Sequence, residues 1–431
     1  MKIYEYPSRE EWDEIAQRPV IEISSLDKDV RKILWKVKKR GDKAVKKFTR
    51  KYDGPEVGEL IVSSTEMQEA MEAVPDALKK AIELAAANIE TFHRAHVQIP
   101  EWIVTMPGVL CSRKSVPIEK VGLYIPGGTA PLFSTILMLG IPARLAGCQE
   151  IVLCSPPNEE GKLHPAILFA AKTAGITRVY KIGGVQAIAA MAYGTESVPA
   201  VYKIFGPGNQ YVTHAKKLVQ QEGIAIDMPA GPSEVCVLAD ESADPVFVAA
   251  DLLSQAEHGG DSQVVLITTS ERIYQGTLNE ISRQLPKLSR KEIAARSMEN
   301  SRIILVKDIN EAIELSNEYA PEHLVIACEQ CENIAERITN AGSVFLGNYS
   351  PEAAGDYASG TNHTLPTNGS ARAYSGISVD SFVKKITYQK LSQEGLRNIS
   401  EAVMLMAEAE GLQGHARAIE VRLGRISQFS Q

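Results

Sequence analysis

From Val121 to Leu346, short β-branched runs alternate with longer runs of helical period, and no other feature constrains the fold as tightly. "VGLYI" (121–125) ends in Pro126-Gly127-Gly128, and "LFSTILMLGIPARLAG" follows as a helix. "EIVLCS", "RVYKIGG" and "VYKIFGPGN" then read as strands, separated by the helical runs "PAILFAAKTAG" and "VQAIAAMAYG" and followed by "QYVTHAKKLVQQ". A second series opens at "EVCVLAD" and "PVFVAADLLSQAEHG". It continues through "QVVLITTS", a helix near 271–284, "RIILV", "INEAIELSNEYA", "HLVIA" and "CENIAERITN" to "GSVFLG". Strands joined through helices are crossover units, and crossover units build parallel sheets. Two such series predict an α/β chain with two Rossmann-like, incomplete parallel-sheet domains and small arms at either end. "DMPAGPSEV", between the series, has the Pro/Gly content of a hinge.

The flanks read differently. Residues 1–20 are short and polar, too few for a core, and form an N-terminal arm. Residues 27–52 read as a basic amphipathic helix with a solvated charged face, and 63–97 as one or two helices opening at the caps Ser63 and Ser64. After Leu346 comes a long, small and polar stretch, "GNYSPEAAGDYASGTNHTLPTNGSARAYSG". An irregular segment of that length in a compact domain is usually functional or disordered, and Asp356 and His363 within it favour function. From about 378 the chain reads as a strand, "FVKKITYQKLS", then helices over 400–409 and 412–427. This tail is near the size limit for independent folding and must pack on something, a partner subunit being one option. The expected division is therefore 1–20 as an arm and 21–124 plus 232–377 as the α/β domain carrying the chemistry. Residues 125–231 form a second, cofactor-binding α/β domain, and 378–431 a C-terminal strand–helix arm.

Composition removes several classes of function. The formal net charge is −7 with no long basic run, which argues against a nucleic-acid partner. No stretch of 18 uncharged apolar residues is present, so no membrane span is expected. The start, "MKIYEYPSREEWDEI", is acidic and lacks the apolar run of a signal peptide, which points to the cytoplasm. The six cysteines include one CxxC (Cys328, Cys331) and no second pair, and read as plain reduced thiols.

Two short stretches concentrate groups capable of chemistry. In "SQAEHGGDSQ", Gln255 and His258 sit three apart, on one face of a helical turn; a metal, a substrate or a structural role is compatible with that spacing. With two imidazoles and a carboxylate such as Asp356, Gln255 completes a nitrogen/oxygen set suited to Zn²⁺, although glutamine is an uncommon zinc ligand. In "YAPEHLVI", Glu322 and His323 form either an acid–base pair poised near neutral pH or an exposed loop pair. His363 and His415 also stand in unusual surroundings, His415 on the edge of an apolar stripe as a core histidine would. "YIPGGTAP" and "IFGPGNQY" are Gly-rich turns opening helices, as an anionic ligand such as a dinucleotide requires, but no GxGxxG follows a strand. A zinc-dependent hydrolase acting on a small nitrogenous substrate fits the donor set alone.

The blocks "LYIPGGTAPLFSTILML", "KIFGPGNQYVTHAK", "IDMPAGPSEV", "DLLSQAEHGGDSQV", "YAPEHL", "AGSVFLG" and "SPEAAGDYASGTNHTLPT", in this order, resemble the histidinol dehydrogenase family over nearly the whole chain. The resemblance implies NAD-dependent, four-electron oxidation of L-histidinol to L-histidine through L-histidinaldehyde, closing histidine biosynthesis. It implies one zinc per subunit on Gln255, His258, Asp356 and His415, and Glu322 and His323 as the acid–base pair. Substrate contacts would come from Ser233, His363 and Glu410 with the ligand positions and Glu322. Tyr124, Gln186 and Asn209 would contact NAD. It also implies a cytoplasmic homodimer with shared active sites.

Overall fold

The computed structural model describes residues 1–19, 26–97, 99–127, 131–228 and 231–429. Part of the first Gly-rich turn (128–130), part of the expected hinge (229–230) and the end of the expected arm lie outside the described residues. In chain order the strands are β1 (Lys2–Glu5), β2 (Trp102–Met106), β3 (Val109–Pro117), β4 (Lys120–Tyr124), β5 (Glu150–Ser155), β6 (Arg178–Lys181) and β7 (Lys203–Phe205). They continue with β8 (Ala225–Ile226), β9 (Glu234–Ala239), β10 (Gln263–Thr268), β11 (Arg302–Leu305), β12 (His323–Ala327), β13 (Ser343–Leu346) and β14 (Val383–Leu391). The chain divides into two compact units, Met1–His96 with Ile118–Phe382, and Val97–Pro117 with Val383–Gln431.

The larger unit holds two parallel sheets, as the alternating pattern requires. One has the order β6-β5-β4-β7-β8, the other β1-β11-β10-β9-β12-β13. Their central strands are apolar on both faces: Val121 and Leu123 in β4, and Val235 through Ala239 in β9, are fully buried. Such runs have no polar side to turn to solvent and must be covered by helices on both faces. Helices Phe133–Ala146 and Pro165–Ala174 cover one face of the first sheet, and Gly184–Tyr193 and Gln210–Gln221 the other. The second sheet is sandwiched likewise between Pro245–Ala256 and Glu271–Gln284 on one side and Ile309–Tyr319 on the other.

Three expectations need correction. The N-terminal arm is not coreless: β1 pairs in parallel with β11, and Trp12 and Ile15 are buried beneath the six-stranded sheet. Residues 27–94 pack chiefly on the five-stranded-sheet side and touch the 232–377 region only locally, as where Asn88 donates to the Ala358 carbonyl (2.8 Å). Helix Asp27–Tyr52 buries Val30, Leu34, Val45 and Phe48 against the helices Gly184–Tyr193 and Gln210–Gln221 that cover one face of the five-stranded sheet, and Asp76–Arg94 packs on Phe133–Ala146 and Pro165–Ala174, which cover the other. The first of these helices is also broken at Gly41, whose φ of +49° a side chain would strain. The helix at 63 opens as expected, with Ser63 and Glu66 forming a reciprocal capping box.

In the smaller unit, the tail strand β14 pairs antiparallel with β3 over nine residues, and β3 pairs with β2. The tail therefore packs on residues 97–117 of its own chain. Helices Gln393–Ala409 and Gln413–Phe429 contact each other beside this ribbon. Ile99, Trp102, Ile103, Val104, Leu405 and Met406 remain exposed.

His93, on helix Asp76–Arg94, is 1 % exposed, and neither ring nitrogen has a hydrogen-bond partner. Burial pushes its pKa down to about 4. The unfolded chain thus binds the extra proton first, so stability is full above about pH 6.5 and falls as pH drops toward 4. The loss from this one group is on the order of 3 kcal/mol. The stability difference between wild type and His93→Leu, followed by urea unfolding, should shift by that amount between pH 7 and 4; a pH-independent difference contradicts it. No helix among the described residues is long and apolar enough to cross a membrane.

Candidate active site

In open parallel sheets, ligands gather beyond the carboxyl ends of the strands where the strand order reverses. The five-stranded sheet reverses between β4 and β7, and at that edge lie Tyr124, Gly206 and Pro207. The six-stranded sheet contributes its opposite edge. Glu234 starts β9 and His323 starts β12, and helix Pro245–Ala256, running antiparallel to the strands, ends beside them at Gln255. A cavity of about 160 Å³ joins the two edges, lined by Gly206, Pro207 and Asp227 on one side and by Ser233, Gln255, His258, Glu322, His323, Asp356 and His363 on the other. That is below the ~300–1,000 Å³ of sites for larger ligands and suits a small polar metabolite.

The pair Glu322–His323 is buried at 5 % and 3 % exposure, which removes the exposed-loop alternative. Both residues hang on the backbone of Glu234. Its N–H donates to Glu322 Oε2 (2.8 Å), and its carbonyl accepts from His323 Nδ1 (3.0 Å) and from Gln255 Nε2 (3.1 Å). With Nδ1–H donated to a carbonyl, the working nitrogen of His323 is Nε2. That atom is buried without a hydrogen-bond partner, 3.5 Å from Asp356 Oδ1.

Three carboxylates surround this imidazole. Glu322 Oε2 lies 3.6 Å and Glu352 Oε1 3.7 Å from Nδ1, with Asp356 at Nε2. Burial by itself pulls the imidazolium down, but the charges of Glu352, Glu322 and Asp356 hold it well above its ordinary value. Burial pushes Glu322 and Glu352 up to about 8 each. It opposes ionisation of Asp356 too, but the adjacent His323 keeps that carboxyl below its usual range. His323 is thus not a free base near 6.5, as the sequence suggested. It holds a proton against the surrounding Glu352, Glu322 and Asp356.

Gln255 is fully buried, and its amide nitrogen is committed to the Glu234 carbonyl, so its oxygen is the end left over. Gln255 Oε1 and Asp356 Oδ1 are both buried without hydrogen-bond partners. Orphaned buried oxygens are uncommon and call for an explanation, and two of them on one cavity fit a cation held there. His258, just past the helix end, lines the same cavity. His363 is fixed by donation from Nδ1 to the Asp356 carbonyl (2.8 Å) and contact with Thr135 Oγ1 (3.0 Å). His415 and Glu410 belong to the smaller unit, His415 in helix Gln413–Phe429 and Glu410 just after helix Gln393–Ala409.

By proximity alone, the histidine and carboxylate donors that converge among the described residues are His323, Glu352 and Asp356, within 4.8 Å of one another. Only Asp356 belongs to the set read from sequence. Glu352 was missed because helix Glu352–Tyr357 falls inside the stretch read as irregular. The signal was there: Glu352 and Asp356 are four apart, a repulsive carboxylate pair on a helix unless a cation faces it.

The three expected cofactor positions share the carboxyl edge of the five-stranded sheet. Tyr124 ends β4 and its hydroxyl accepts from the Gly184 N–H (3.0 Å). Gln186, in the first turn after β6, donates to Asp53 (3.0 Å). Asn209 caps helix Gln210–Gln221, accepting from the N–H of Tyr211 and Val212. Beside them, Gly206 has φ +119°, and a Cβ there would run into the Tyr124 carbonyl. Its N–H donates to Asp227 and its carbonyl accepts from Lys216, themselves a buried ion pair.

A family model described as histidinol dehydrogenase matches residues 16–423. The chain is 60% identical over 426 residues to a histidinol dehydrogenase of Bacteroides thetaiotaomicron, covering 99% of this chain and 100% of the relative. It is 51% identical over 409 residues to one of Xylella fastidiosa, covering 94% and 95%. A crystal structure of histidinol dehydrogenase from Elizabethkingia anophelis superimposes with a TM-score of 0.98 at 54% identity, covering 99% of both chains. The family model, the relatives and the fold agree over nearly the whole chain: it belongs to the histidinol dehydrogenase family.

Proposed function

We propose that this chain, an NAD-dependent oxidoreductase by family, oxidises L-histidinol to L-histidine through L-histidinaldehyde at the cavity between its two sheets. The observation that carries the reading is His323: its Nδ1 is pinned to a carbonyl, while Nε2 is buried, unpartnered and turned toward the cavity wall that holds Asp356. Zinc, when bound by Gln255, His258, Asp356 and His415, would orient the substrate's nitrogen donors and compensate the charge of Asp356, which beside Glu352 and Glu322 helps keep a proton on His323. Tyr124, Gln186 and Asn209 would hold NAD, which would supply the hydride acceptor for each of the two oxidations.

The chain's own groups handle the protons. An alcohol is a very weak acid, so its hydroxyl proton must leave as the hydride does, and His323 Nε2 is the acceptor. Glu322, kept in the dry interior, takes a proton from the water that adds to the aldehyde. Ser233, His363 and Glu410 complete the substrate contacts in this reading. Enclosure holds the aldehyde between steps. The balance is RCH₂OH + 2 NAD⁺ + H₂O → RCOO⁻ + 2 NADH + 3 H⁺. The same reading takes the working form as a cytoplasmic homodimer, with His415 and Glu410 coming from the partner subunit, which the exposed apolar side chains of the smaller unit support. The hydrolase considered from the donor set finds no support, since the family model and the relatives named above are histidinol dehydrogenases.

The test is stoichiometric. Purified protein with zinc, L-histidinol and NAD⁺ should give two NADH for each histidine formed. One NADH per substrate with aldehyde released, or none, contradicts the reading.

A further inference from the structure

We propose that Arg18, in the N-terminal arm, is a positioning residue for the Glu322–His323 pair. This rests on the reading of that pair as the proton carriers. Glu234 is the hub of the site through its backbone, and its side chain is what Arg18 holds. The guanidinium grips it with two prongs, Nε to Oε1 and Nη2 to Oε2, both at 3.1 Å, with the pair 10 % and 1 % exposed. The same Nη2 donates to the Tyr319 carbonyl, and the guanidinium lies 3.8 Å over the Tyr319 ring.

Two segments are thereby fastened by one side chain. The first is the start of β9, whose Glu234 backbone sets the Glu322 carboxylate and the His323 tautomer. The second is the turn leading into β12, where Ala320 sits at φ +51°, two residues before Glu322. A non-glycine residue in that region persists only where its surroundings impose it. The arm is itself held: the Gln17 carbonyl accepts from Arg302 (2.7 Å), and Gln263, which also contacts it, accepts from the Tyr319 hydroxyl (2.8 Å).

A buried ion pair adds little stability of its own. A planar fork does fix the direction of a carboxylate, which a lysine ammonium cannot. Loss of the fork should therefore appear in the chemical step, because a small misplacement of reacting groups costs up to ~10²-fold.

The experiment uses the full-length chain carrying Arg18→Gln or Arg18→Lys, assayed with L-histidinol and NAD⁺. Arg18→Gln should lower kcat ~10–10²-fold while KM for NAD⁺ and NAD⁺ affinity by fluorescence titration stay within about twofold. Millimolar guanidinium should restore part of the lost kcat in Arg18→Gln and leave wild type unchanged. Arg18→Lys, which keeps the charge, should still lose at least about half the kcat. A folded Arg18→Gln with kcat within twofold of wild type overturns the proposal, as does a loss shared equally by NAD⁺ affinity. If Arg18→Gln does not fold, Arg18→Lys at wild-type kcat overturns it. His323→Asn at wild-type rate would instead sink the underlying reading, so the two failures are distinguishable.

Discussion

His323→Asn is expected to lower kcat for both oxidations by ~10²–10⁴-fold while bound zinc stays at one ion per subunit. The imidazole is the best-placed proton acceptor on the cavity: Nδ1 is spent on the Glu234 carbonyl and Nε2 has no hydrogen-bond partner. Asparagine can keep a bond to that carbonyl but cannot carry a proton. Stopped-flow measurement of NADH formation, from alcohol and from aldehyde separately, reads both steps. Loss of zinc together with activity would instead make His323 a ligand, as its closeness to Glu352 and Asp356 would permit.

Asp356→Asn makes the opposite prediction. The change is nearly isosteric, so the short helix Glu352–Tyr357 should survive. It removes the negative charge from the buried oxygen proposed to face the ion. Zinc affinity should fall by at least ~10²-fold, since even substitutions beyond the ligands themselves cost 10–100-fold. Turnover should fall with it, and excess zinc should recover part of the rate. Metal content after dialysis, measured beside kcat across a zinc titration, decides the matter. Zinc retained at one per subunit with activity gone would place the ion on other donors.

The two predictions separate proton carrier from ligand, which the sequence alone could not do. The sheet strands were legible because burial on both faces leaves an uninterrupted apolar run, as in β9 and β10. β1 and β2 were not: β1 is an edge strand of four residues, and β2 is exposed along almost its whole length, so neither shows the pattern that burial imposes. The Pro107-Gly108 turn between β2 and β3, with Gly108 at φ +79°, was a usable hairpin signal. At the site, Gln255, His258, Glu322 and His323 stood out because polar groups there interrupt apolar elements. Glu234 gave no such sign, because it serves through its carbonyl and N–H, which every residue has. Arg18 was hidden for a related reason: its partner is 216 positions away, and only the tertiary fold brings them together.

The central claim is that the ion belongs to Gln255 and Asp356 while His323 and Glu352 stay off it. Anomalous diffraction at the zinc edge, on crystals grown with the metal, locates the ion directly. The account predicts a peak bonded to Gln255 Oε1 and an Asp356 oxygen at about 2.0–2.2 Å. A peak bonded to His323 Nε2 and Glu352 would contradict it.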